Sequence, residues 1–337
     1  MDTAPSTTER QPDEVIGQLL GSFQASQAIH VAAKLGLLDM LGEGPRTSEE
    51  IARDIGAHEP SLRRLLIFLV TLNILVEARD GPFAATTLGE VLRADHPQSV
   101  RSWALLLGTP LIWRPWGDLH ATIMTGQPAF ERVFGESFFE YLEHSPDDAA
   151  LFNAAMGSDA GSVPAILDAY DFTHAGLIVD VGGGQGELLW AILQRYPRPR
   201  GVLFDLPSVV AKASDPDDPT ISRRCSIRGG DMFESVPAGG DIYVLKRIIH
   251  DWSDAEATRI LRNCQEAMTD GATVLLVEEI VQPTERVPTS DMMMLALVTG
   301  RERTEEEFGA LYAAAGLRLT RVTPAGEYSI IEGVAQV

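Results

Sequence analysis

The stretch "YVLKRIIHDWSD", residues 243–254, brings a cation, an imidazole and a carboxylate close together: Lys246, then His250 and Asp251, with Trp252 following. An apolar run of strand character leads in, and a Ser253-to-Glu256 capping pattern opens a helix behind it, which puts His250 in the connecting loop. An imidazole titrates near neutrality, so it can accept the proton of a hydroxyl that is becoming a nucleophile. It needs a partner to fix its tautomer. "LLVEEIVQP" offers Glu279 and "TGRERTEEEF" offers Glu302, and spacing does not choose between them. Glu278, Glu305, Glu306 and Glu307 read as solvated charges.

A second constellation is "IVDVGGGQGELLWAIL", residues 178–193. A dinucleotide loop would read GxGxxG, but counting from Gly182 and Gly184 the third position is Glu187, an acid that opposes a pyrophosphate on a helix N-terminus. Gly182, Gly184 and Gly186 behind Asp180 instead suit a cofactor that is cationic and has no phosphates. S-adenosylmethionine meets both demands, with its amino-acid end against the Gly182–Gly186 backbone. "VLFDLP" then places Asp205 and Leu206 at the next strand end, about 20 residues on, where an acid takes two ribose hydroxyls. "GGDMF" supplies Gly230, Asp231 for the adenine amino group, and Met232 and Phe233 for the ring faces.

The chemistry these groups suit is an in-line displacement: an acceptor oxygen attacks the sulfonium methyl while His250 removes its proton. If the acceptor is phenolic, its pKa is about 10. General-base help of this kind is typically worth about 10²- to 10⁴-fold.

Such a site needs a sheet to carry it. From Gly176 onward the runs "LIVDV", "GVLFDL", "CSIRGGDM", "DIYVLKR" and "ATVLLVEEI" alternate with helical patterns, which predicts a doubly wound, mostly parallel α/β sheet of Rossmann-like type. "LRLTRV" and "YSIIEGVA" are too close for a crossover and predict an antiparallel C-terminal hairpin at the edge. Upstream, "DEVIGQLLGSFQASQAIHVAAKLGLLDML" predicts a long apolar helix through Leu41. A capping box at Thr47–Glu50, a helix from Pro60 and a hairpin around Asp80-Gly81 complete a winged helix. Its would-be recognition helix is Leu-, Ile-, Phe- and Val-rich, with only Arg63 and Arg64 basic, and suits dimerisation better than DNA. Residues 103–152 hold nine aromatics, from Trp103 to Phe152, enough for an aromatic pocket.

Composition narrows the partners. The 337 residues carry 27 Lys and Arg against 48 Asp and Glu, a net charge of −21, which repels nucleic acid and anionic membranes. Cys225 and Cys264 make neither a disulfide framework nor a four-cysteine zinc site. The N-terminus lacks a signal-peptide pattern and no apolar run reaches membrane-spanning length, so a cytoplasmic protein is expected.

Taken in order, "DVGGGQG", "FDLP", "GDMF", "LKRIIHDWSD", "EEIVQP" and "GRERT" resemble the class I S-adenosylmethionine-dependent small-molecule O-methyltransferases. That group includes plant caffeate and hydroxyindole enzymes and bacterial enzymes tailoring aromatic natural products. The resemblance implies His250 as catalytic base with Glu279 and Glu302 in support and Asp251 beside it. It also implies cofactor contacts from Gly182, Asp205, Asp231, Met232 and Lys246, substrate contacts from Asn153 and Met156 of "FNAAM", no metal, and a homodimer. Where plant members read GGKERT this chain has "TGRERT", so Thr299 and Arg301 should alter the pocket floor.

The resulting expectation is a tail over 1–13, a winged-helix dimerisation domain over 14–100, a helical connector lining the substrate pocket over 101–160, and an S-adenosylmethionine-binding catalytic domain over 161–337. Asp180, Gly184, Leu206, Gly230 and Phe233 join the cofactor set, and Trp103, Phe152 and Asp291 the substrate set. The activity expected is methylation of a phenolic hydroxyl on an aromatic small molecule of secondary metabolism. A relative with altered chemistry (hydroxylation, decarboxylation or cyclisation) and a winged-helix regulator are the alternatives.

Overall fold

The computed structural model describes residues 11–79, 81–213, 216, 218–282 and 289–336, apart from the side chains of 159 and 160. Most of the expected tail, Asp80 of the hairpin turn and Pro283 of "EEIVQP" lie outside these residues. The chain divides into two compact units, one ending at Trp113 and the other beginning at Arg114.

In the first unit a helix begins at Pro12 and ends at Lys34, short of the predicted Leu41. Gly36 takes a left-handed φ of 65° and caps a separate short helix, Leu37–Gly42. Only glycine adopts that conformation cheaply, so the chain turns there despite unbroken apolar periodicity. Helices Ser48–Ile55, opened by the Thr47–Glu50 capping box, and Glu59–Thr71 follow. Strands β1 (Leu75–Glu77) and β2 (Phe83–Ala85) pair antiparallel to form the wing. Helix Arg101–Leu107 also belongs here: Gln27 donates to the Gly108 carbonyl at 3.1 Å and His30 meets the Ala104 carbonyl at 3.1 Å. The predicted connector is thus shared between the two units.

The second unit is built on seven strands: β3 (Leu177–Val181), β4 (Arg200–Asp205), β5 (Cys225–Gly229), β6 (Gly240–Lys246), β7 (Met268–Glu278), β8 (Leu317–Ala325) and β9 (Tyr328–Ala335). Their order is β5-β4-β3-β6-β7-β9-β8. The first five are parallel, and the β8–β9 hairpin joins antiparallel through β9, leaving β8 at the edge as predicted.

Strand alternation sorts the core onto the two faces. Val179, Val181, Tyr243, Leu245, Val274 and Leu276 pack with Ile249 and helix Asp254–Ala267. Ile178, Ile242, Val244, Leu275 and Val277 pack on the other side with Ile166, Leu189 and Ile192. The register brings the carboxyl ends of β3 to β7 to one edge, where ligands of open parallel sheets bind. Among the described residues no helix is long and apolar enough to cross a membrane.

Candidate functional site

The glycine turn follows β3. Gly182, Gly184 and Gly186 have φ values of 68°, 59° and 92°, conformations that disfavour any side chain. A Cβ on Gly184 would meet nothing within 4 Å, so its backbone faces open space. Asp205, at the end of β4, accepts the Gly184 N–H at 2.8 Å and the Leu206 N–H at 2.7 Å, which leaves each oxygen one further acceptor site. Asp231, after β5, accepts the Phe233 N–H at 2.8 Å. Met232 and Phe233 are half-buried, and the Phe233 ring meets Trp252 at 4.6 Å and lies under Arg259. A Cβ on Gly230 would sit 2.5 Å from the Phe204 ring, so this glycine permits close strand-end packing.

Asp180 is almost wholly buried, and one of its oxygens has no hydrogen-bond partner among the described residues. Burial, then the charges of Asp205 and Glu187, push its pKa up to about 7, against the pull of Lys246. An edge with this much negative charge suits a cationic sulfonium and ammonium ligand, whereas a pyrophosphate would be repelled. Lys246 ends β6 with its Nζ 5.7 Å from the Tyr328 ring centroid.

His250 lies on a single 3₁₀ turn, Ile249–Asp251, directly after β6. Its Nδ1 is 3.0 Å from Glu302 Oε1, and its Nε2 is 3.6 Å from Asp251 Oδ1, too far for a hydrogen bond. Glu278 is fully buried and accepts the N–H groups of Ile248 and Ile249 at 3.1 and 2.8 Å. His250, Glu278 and Glu302 offer polar atoms that all lie within 4.8 Å of one another.

Glu278 is therefore no solvated charge, and it occupies the place expected of Glu279. Alternation explains the exchange: Glu278 shares a face with Leu276, on the side where Ile249 packs, and Glu279 is the next residue along. Glu279 instead accepts from Ser290 Oγ at 3.2 Å and faces Arg247 at 3.7 Å. Asp291, expected on the substrate side, accepts the Glu302 N–H through Oδ1 at 2.9 Å and so supports that acid.

Burial favours a neutral imidazole, but the charges of Asp251 and Glu278 and the hydrogen bond to Glu302 outweigh it and raise the His250 pKa to about 9. Burial raises Glu278 to about 7, while Glu302 is held below its ordinary value by the imidazole.

The loop that bears Glu302 packs directly on the His250 backbone. A Cβ on Gly300 would lie 1.9 Å from the His250 carbonyl oxygen. Thr299 and Arg301, expected to alter the pocket floor, both have polar partners on or beside helix Asp254–Ala267 and at Glu307. Thr299 Oγ1 donates to Glu256 at 2.8 Å, and Arg301 pairs with Glu307 at 2.6 Å and Asp254 at 3.4 Å. Glu305 and Glu306 are exposed as expected, whereas Glu307 completes a capping box with Thr304.

The aromatic cluster reaches Trp252, two residues after His250. Phe152 packs on Phe138 and Phe139, and Phe139 stacks on Trp252 at 5.1 Å. Asn153 lines a cavity of about 420 Å³ together with Gly157, Ser158, Gln185, Glu187 and Lys212, beside the glycine turn. Met156 is half-buried on the same helix, Pro146–Gly157. Trp103 lies in the first unit on helix Arg101–Leu107.

Sequence reasoning missed Glu278, Arg247 and Arg303. Strand alternation held the signal for the first. Arg247 takes a φ of 54°, rare outside glycine, and donates to the Tyr328 hydroxyl at 3.0 Å.

Comparison with known proteins identifies the family of both parts of the chain. Residues 116–318 match the O-methyltransferase domain family and residues 17–95 the O-methyltransferase dimerisation domain family. Phenazine O-methyltransferase PhzM of Lysobacter antibioticus is 38% identical over 325 residues, covering 94% of this chain and 95% of that protein. The structure of human N-acetylserotonin methyltransferase with S-adenosylmethionine superposes with a TM-score of 0.89 at 26% identity, covering 99% of this chain and 100% of that one. An O-methyltransferase of neocarzinostatin biosynthesis, solved with S-adenosylmethionine and 2-hydroxy-5-methyl naphthoic acid, gives 0.81 at 35% identity, covering 93% and 96%. With its glycine turn, its acidic strand ends and both family domains in place, the chain belongs to the S-adenosylmethionine-dependent O-methyltransferases.

Proposed function

We propose that this enzyme methylates a phenolic hydroxyl of an aromatic small molecule in secondary metabolism, with His250 as general base. The observation that carries the reading is a buried imidazole with one nitrogen fixed by Glu302 and the other left without a hydrogen bond among the described residues, at the sheet edge that bears the cofactor motifs. When bound, S-adenosylmethionine supplies an electrophilic methyl group. The Gly182–Gly186 backbone and Asp205 are assigned to hold it, with Asp231, Met232, Phe233 and Lys246 in support.

His250 Nδ1–H donates to the Glu302 carboxylate, which selects the tautomer whose Nε2 lone pair is free. That lone pair would take the hydroxyl proton as the acceptor oxygen received the methyl group, the sulfonium sulfur–carbon bond breaking to leave a neutral thioether, and Glu278, Glu302 and Asp251 would stabilise the resulting imidazolium. A ring pKa of about 9 lies close to that of a phenol, about 10, so little driving force is lost in the transfer. Asn153, Met156 and Phe152 are assigned to the acceptor side. Relatives named for phenazine, 3-amino-4-hydroxybenzoate and naphthoate substrates support an aromatic acceptor. We also propose a cytoplasmic homodimer with no nucleic-acid partner. Consistent with that, Arg63 is drawn to Glu77 at 3.0 Å and lies over the Phe83 ring.

The test is His250→Ala, assayed by mass spectrometry with labelled cofactor and a panel of phenols. Turnover should fall at least about a hundredfold with cofactor affinity nearly unchanged. Undiminished turnover would remove the base assignment.

A further inference from the structure

Arg303 is fully buried, although it carries a permanent charge. A guanidinium has five N–H donors, and here five contacts receive them. Nε donates to Asp254 Oδ1 at 3.0 Å. Nη1 donates to the Ile249 carbonyl at 2.9 Å and the Arg301 carbonyl at 3.3 Å. Nη2 donates to the Trp252 carbonyl at 2.7 Å and Asp254 Oδ1 at 2.8 Å. Two of these acceptors, the carbonyls of Ile249 and Trp252, bracket the segment that bears His250 and Asp251.

We propose that Arg303 is a positioning residue for methyl transfer: its guanidinium clamps the backbone on both sides of His250 and so sets where the imidazole points. The proposal rests on His250 being the base. Consecutive residues divide the task, since Glu302 holds the ring and Arg303 holds the main chain beneath it. The clamp is itself anchored to the segment that continues from β7, because the Arg303 carbonyl accepts the Val281 N–H at 2.9 Å and Ile280 forms an isolated bridge with Arg303. Only a planar fork reaches both carbonyls, because a lysine ammonium is a single point charge.

Stability alone is a poor account of this arrangement. The Asp254 side chain is 59% exposed while its guanidinium partner is 0% exposed. Burying a charge against a solvent-screened counter-ion is often no better than an apolar residue of similar size. What a rigid five-point grip does provide is geometry, and a displacement of about 1 Å near the chemistry can cost about a hundredfold in rate.

The experiment compares Arg303→Lys and Arg303→Ala with the wild type. It reads kcat and KM for a phenol that is turned over, cofactor affinity by calorimetry, Tm, and the His250 ring pKa by NMR of ring-labelled protein. Expected are a fall in kcat of about a hundredfold, unchanged cofactor affinity, and partial recovery of Arg303→Ala by added methylguanidinium. The ring pKa should drop from about 9 towards the free value of 6.5 as the imidazole leaves Glu302. Variants that lose only Tm while keeping kcat and the ring pKa would overturn the proposal, leaving a purely structural arginine.

Should neither variant fold, Asp254→Asn weakens the same grip and is expected to shift kcat and ring pKa in the same directions. No shift there overturns the proposal as well. If the wild type methylates no phenol, the ring pKa still decides the role of Arg303, whereas loss of the base reading shows as turnover surviving in His250→Ala.

Discussion

With carboxylates on several sides, the His250 ring pKa is raised to about 9, so the neutral fraction that the proposed base role requires grows as pH rises towards that value. Glu278 contributes to that hold through its charge. Replacing it by Gln should move the rising limb of kcat/KM for the acceptor to lower pH and reduce its plateau. Glu279→Gln, beyond hydrogen-bonding reach of the ring, should shift it much less. Rate profiles of both variants over pH 6 to 10 check this, and equal shifts would count against Glu278 as the nearer acid. The same pKa bears on folding. A ring that titrates at about 9 when folded and 6.5 when free adds stability that is complete below about pH 6.5 and is lost as pH rises through about 9.

At the scale of elements, the loop between helices Thr289–Leu297 and Glu305–Ala314 packs on His250 through Gly300 and Glu302. Gly300→Ala is expected to push that loop off the His250 carbonyl, lowering kcat at least about tenfold with cofactor affinity intact. Initial rates alongside calorimetric cofactor titration check it, and wild-type rates would show that the loop yields freely.

Much of this scale was readable beforehand. Short apolar runs marked every strand of the large sheet, and Thr47, Ser253 and their glutamates marked two helix starts. His250, Glu302 and the strand-end acids were likewise marked by type and position. What escaped depends on phase and on distant partners. A one-residue choice between adjacent glutamates follows from which face the strand presents, and Arg303 looks like any surface charge until Ile249 and Trp252 are seen around it. The break at Gly36 was hidden because the residues on either side, Leu35 and Leu37, continue an apolar pattern.

At the scale of the whole molecule, the first helix leaves Ile16, Leu19, Leu20 and Phe23 more than half exposed. Covering large apolar side chains is worth about 1.5–3 kcal/mol each, a strong incentive to associate in a chain that carries the family's dimerisation domain. Leu20→Asp with Phe23→Asp should therefore yield a monomer by sedimentation velocity at micromolar concentration. A surviving dimer would place the contact elsewhere.

The grouping of His250, Glu278 and Glu302 has one more consequence. They come from a turn after one strand, the tip of the next, and a loop more than twenty residues further on, so no short contiguous fragment of the chain assembles the group. Partial melting should extinguish catalysis before it abolishes helical or sheet signal, and proteolytic pieces that retain the glycine turn should still dock the cofactor yet turn nothing over.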